Sequence, residues 1–104
     1  MDEKPESRKF SRITVSGKIP IQLNGAELSE VASLGFGGLY ITTSSPLSRG
    51  TLFELDLPLP DNEPPVRVMA KVVYVNPQKG MGIEFLGLNV RDAERIGVFL
   101  LLNR

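Results

Sequence analysis

Apolar and polar residues alternate with a period of two along most of this chain. Ile13 and Val15 alternate with Thr14 and Ser16, and after Lys18 the residues Ile19, Ile21 and Leu23 alternate with Pro20 and Gln22. This pattern marks a half-buried strand. Pro20 has no backbone donor, which predicts an edge or a bulge there. Asn24-Gly25 is a strong hairpin signal and predicts a return strand through Ala26, Leu28 and Val31. That strand ends in the glycine-rich stretch Ser33-Leu34-Gly35-Phe36-Gly37-Gly38, and a third strand follows over Leu39 to Thr43. Residues 44–50 read as a loop. Leu52 to Leu57 alternates cleanly, with Phe53, Leu55 and Leu57 on one face and Glu54 and Asp56 on the other. Four prolines in residues 58–65 predict a stiff connection. A long strand then places Val66, Val68, Ala70, Val72 and Tyr74 opposite Arg67, Met69, Lys71, Val73 and Val75. A turn at 76–80 leads into a closing strand at 81–85.

The last segment changes period. Asn89 is a good N-cap, Asp92 and Glu94 fall where a helix N-terminus favours acids, and Ala93, Ile96, Gly97 and Leu100 recur at helical spacing. Arg91 and Arg95 are expected on the outer face of this helix. About six strands without intervening helices predict an all-β barrel or sandwich, with the terminal helix over one end or an open flank.

Composition narrows the function. A chain of 104 residues with 41% hydrophobic residues suits one packed domain, expected over 8–104 behind a polar lead-in at 1–7. Twelve basic and 12 acidic residues cancel, which argues against bulk attraction to a nucleic-acid polymer or a membrane. The chain has no histidine and no cysteine, so the usual general base, thiolate metal sites and disulfides are excluded. Glu54 and Asp56 neighbour each other on the polar face of one strand, where carboxylates are simply solvated. No apolar run approaches a membrane span of about 20 residues, and the charged N-terminus is unlike a signal peptide, so a cytoplasmic location is expected. An enzyme is not expected.

Two stretches carry candidate chemistry. Gly35, Gly37 and Gly38 feed a strand rather than a helix, so they form neither a phosphate-binding Walker loop nor a dinucleotide fingerprint. Arg8-Lys9-Phe10-Ser11-Arg12 is either a solvated basic patch or an anion clamp. Arginine forks suit the second role, because they pair bidentately with phosphate and with the O6 and N7 edge of guanine.

These segments, in this order, resemble the PilZ domain family. Arg8 and Arg12 match its opening R-x-x-x-R motif. Gly37-Gly38-Leu39-Tyr40-Ile41 aligns with the end of its [D/N]-x-S-x-x-G motif and the strand behind it, and Gly80 to Phe85 resembles its closing strand. The resemblance implies a six-stranded antiparallel β-barrel with a C-terminal helix that binds the bacterial second messenger cyclic di-GMP. The implied ligand-binding residues are Arg8, Lys9, Arg12, Ser33, Gly35, Gly37 and Gly38. No cofactor or metal is implied. The resemblance further implies that the arginine arm orders on binding and signals through a protein partner in motility, envelope function or regulation. The second motif departs from the family at Ser33, where the family has Asp or Asn, and at Gly35, where it has Ser. Each lost side-chain hydrogen bond weakens binding by about 0.5–1.5 kcal/mol. A register with Ser33 as the motif serine requires Val31 and Phe36 at the other two positions and fits worse. The departures leave a second expectation, a PilZ-like adaptor that acts by protein contact without the nucleotide.

Overall fold

The computed structural model describes residues 12–14, 19–23 and 27–103. They form strands β1 (Arg12–Thr14), β2 (Pro20–Leu23), β3 (Glu27–Gly35), β4 (Gly38–Thr42), β5 (Leu52–Leu57), β6 (Val66–Asn76) and β7 (Gly80–Leu86), followed by helix α1 (Val90–Leu102). One antiparallel sheet runs β1-β3-β4-β7-β6-β5, and β2 also pairs with β3.

The all-β class and the terminal helix agree with the sequence pattern, but two features of the expected barrel do not. The described residues form seven strands rather than six. The apolar-polar alternation before Asn24 belongs to two strands that share one neighbour. Thr14 in β1 faces Ser33, while Ile19, just ahead of β2, accepts a hydrogen bond from the Val31 amide at 3.0 Å. The two strands thus lie one after the other along β3, and Pro20 sits in an edge strand as expected. The sheet also stays open. Among the described residues no ladder returns from β5 to β1 or β2. The inner face is closed by side chains instead: Ile96, Phe99 and Leu100 of α1, together with Leu59 beyond β5, are buried in the same core as Val31, Leu34, Leu39, Ile41, Val72, Met81 and Ile83.

Helix α1 starts as the sequence predicts, with Asn89 Oδ1 accepting from the Asp92 amide at 2.8 Å. Its outer face differs from expectation. Arg95 is not a free surface cation: its side chain is 12% exposed and makes two hydrogen bonds to Asp61, of 2.9 and 3.0 Å. Arg91 reaches Glu63 at 3.1 Å. The proline-rich connection is therefore clamped to the helix. On the helix's other flank the ring of Phe36, in the β3–β4 turn, lies against Gly97, where a Cβ would stand 3.2 Å from it. The helix thus spans from the glycine turn to the β5–β6 connection.

Candidate functional site

The site predicted from sequence lies where β1 meets β3. The antiparallel register pairs Arg12 with Gly35, Ile13 with Leu34 and Thr14 with Ser33. The end of the arginine motif is thereby laid directly along the degenerate motif. Arg8 and Lys9 lie outside the described residues.

Alternation decides which side each residue faces. Leu34, Leu39, Ile83 and Val72 are fully buried and successive partners across β3, β4, β7 and β6, so they form an inner row. The adjoining row, Thr14, Ser33, Tyr40, Gly82 and Tyr74, therefore lies on the outer face. Two β-bulges set this arrangement, one between Val31 and Ser33 and one between Val72 and Tyr74. A bulge adds one residue and so reverses the facing of the residues beyond it in the strand. The first lets Val31 and Leu34 both enter the core while Ser33 points out. The second corrects the simple alternation expected for β6: Tyr74 is turned outward and is 43% exposed, while Val75 returns to the inner side.

The glycines divide by role. Gly38 pairs with Glu84, and a Cβ on it would run into the backbone carbonyl of Ile83. Close packing of β4 on β7 thus explains Gly38 without any ligand. Gly37 accepts the Phe85 amide at 2.9 Å and so also ties the turn to β7. None of the three motif glycines takes up the left-handed conformation that glycine clusters permit; among the described glycines that conformation is found at Gly50, with φ 90°, and Gly87, with φ 79°. Gly35 is buried opposite Arg12, and half-buried Ser33 offers a hydroxyl beside it.

Sequence reasoning missed the aromatic side of this face. The rings of Tyr40 and Tyr74 are 6.1 Å apart, tilted by 31°, and flank Gly82. A Cβ on Gly82 would collide with the Tyr74 ring. Asn76 Nδ2 donates to the Tyr40 hydroxyl at 2.8 Å. The available signal was a tyrosine in each of two strands with a glycine in the strand between them, but it becomes meaningful only once the register is known.

Three arginines elsewhere on the described body are committed. Arg67 is paired with Asp56 at 2.8 Å, Arg95 with Asp61 and Arg91 with Glu63. The hydrogen bonds from Arg67 and Arg95 hold the carboxyls of Asp56 and Asp61 below their usual value of 3.8. The described residues contain no group of acidic side chains arranged to hold a metal ion. No described helix is long and apolar enough to cross a membrane.

The PilZ domain model matches residues 6–102 of the chain. No curated protein sequence matches it. Among solved structures, the PilZ domain of YcgR from Escherichia coli, with c-di-GMP, superposes with a TM-score of 0.70 at 13% identity, over 91% of this chain and 90% of that one. MrkH, described as a c-di-GMP-dependent transcription regulatory factor, superposes with a TM-score of 0.67 at 19% identity. That match covers 90% of this chain and 49% of MrkH.

Proposed function

This chain belongs to the PilZ domain family, and on that premise we propose that it is a cyclic di-GMP receptor that signals through a protein partner. The observation that carries the reading is the β1–β3 register, which sets Arg12 opposite Gly35 and Thr14 opposite Ser33. Both motifs then border one outer surface. The ligand's two phosphates and two guanines suit the forks of Arg8 and Arg12, which can take a phosphate or the O6 and N7 edge of guanine. Lys9 adds charge. Ser33 supplies one hydroxyl, and Gly35 allows the ligand close to the backbone. Gly37 and Gly38 shape the turn that presents these groups. Such binding needs no metal or cofactor, and catalysis has no part in it. The structure recorded for YcgR includes c-di-GMP, and MrkH is described as dependent on it. Both are similar to this chain in fold and support the ligand by analogy.

Binding draws the residues ahead of β1 onto the sheet in this reading and creates a new surface for the partner, in the cytoplasm, in motility, envelope function or regulation. Calorimetric titration with cyclic di-GMP, combined with amide shifts at Ser33 and Gly35, tests it. Absence of heat and of shifts at high micromolar ligand defeats the reading.

The adaptor alternative has its own support. Ser33 and Gly35 lack the side chains of the family motif, and α1 exposes Val98, Leu101 and Leu102 at its end. A partner captured equally with and without ligand, and equally by Arg12→Ala, favours it.

A further inference from the structure

We propose that Tyr40 and Tyr74 form an aromatic platform that takes one guanine base of the bound dinucleotide by stacking, an inference that rests on the cyclic di-GMP reading. The platform continues the row that begins at the motif: Thr14, Ser33, Tyr40, Gly82 and Tyr74 are successive partners across five strands. Tyr40 is one strand spacing from Ser33, about 5 Å, and Tyr74 is three spacings away, about 14 Å. A ligand anchored by its phosphates near Arg12 and Ser33 must extend a base along this row if it crosses the sheet at all.

Two bulges sit at Ala32 and Val73, beside the two ends of the β3–β6 part of the row. Bulges commonly re-aim side chains beside functional sites. Here one turns Ser33 outward and the other turns Tyr74 outward. Uninterrupted alternation in β6 would have put Tyr74 on the same side as buried Val72. The hydrogen bond from Asn76 to the Tyr40 hydroxyl fixes that ring. Gly82 leaves room for the Tyr74 ring and Gly80 for the Tyr40 ring to lie low across β7, and Tyr74 stays 43% exposed.

The competing role is purely structural, with the tyrosines only covering Gly82. Tyr74→Phe and Tyr74→Leu separate the two roles, because leucine can still cover the glycine but offers no ring. Cyclic di-GMP is titrated calorimetrically into wild type and both variants, with thermal unfolding of each recorded alongside. The chain has two tyrosines and no tryptophan. Tyrosine emission, corrected for guanine absorption with free N-acetyltyrosinamide, therefore reports on this pair alone. Expected are wild-type affinity within about twofold for Tyr74→Phe and weakening by about fivefold to a hundredfold for Tyr74→Leu. Tyrosine emission should change on saturation of the wild-type chain. Unchanged affinity in folded Tyr74→Leu, equal loss in both variants, or unchanged emission overturns the platform and leaves the receptor reading intact. No binding by wild type overturns both.

Discussion

Arg12 and Gly35 stand opposite one another in the ladder between β1 and β3. That pairing turns two separate stretches of sequence into one edge. It also sets Gly35, which lacks the side chain of the family motif, directly beside the end of the arginine arm.

Arg12→Ala removes one of the two forks. Loss of hydrogen bonds to a charged group costs about 1.5–3 kcal/mol, so affinity for cyclic di-GMP should fall roughly tenfold to 150-fold in calorimetry. Arg12 lies at the start of an edge strand, and thermal unfolding should shift little.

Ser33→Asp combined with Gly35→Ser restores the family motif. Ser33 is on the outer row and half-buried, so the longer acid can be accommodated there. Two regained side-chain hydrogen bonds of about 1 kcal/mol each predict tighter binding by roughly tenfold or more. Equal affinities for wild type and variant would show that neither position touches the ligand.

Gly38→Ala tests the structural role of that glycine. The new Cβ meets backbone at Ile83, which no rotamer change relieves. Overpacking of this kind costs about 1–3 kcal/mol, and the unfolding midpoint in urea should drop accordingly.

The clamp between α1 and the β5–β6 connection sets an acid limit. Asp61 is held below its usual 3.8, chiefly by its hydrogen bond to Arg95. A carboxyl with a depressed folded value contributes stability above its unfolded value and loses it as pH falls through the folded one. The contribution is therefore present near neutral pH and is lost below 3.8. Asp56, held low by Arg67, titrates in the same direction. Asp61→Asn should lower stability at pH 7 by about 1 kcal/mol at most, given its exposure to solvent, and make the loss below pH 3.8 shallower without abolishing it. Urea unfolding at pH 7 and pH 3 measures both.

Elements whose information is local were legible in the sequence. β5 was readable because Phe53, Leu55 and Leu57 alternate with Glu54 and Asp56 without interruption, and the start of α1 because Asn89 is a cap with a side-chain acceptor. The bulges at Ala32 and Val73 were not readable, since an extra residue in a strand shows only against its partner. For the same reason plain alternation assigns Tyr74 to the core side of β6, and it does not separate β1 from β2 along the edge of β3. The structural role of Gly38 is visible only from the approach of β7.

Calorimetric titration of the wild-type chain with cyclic di-GMP at physiological salt tests the central claim most directly. Saturable heat is expected at micromolar ligand, lost or strongly reduced in Arg12→Ala. Absence of heat up to high micromolar ligand, or heat unaffected by Arg12→Ala, would contradict it.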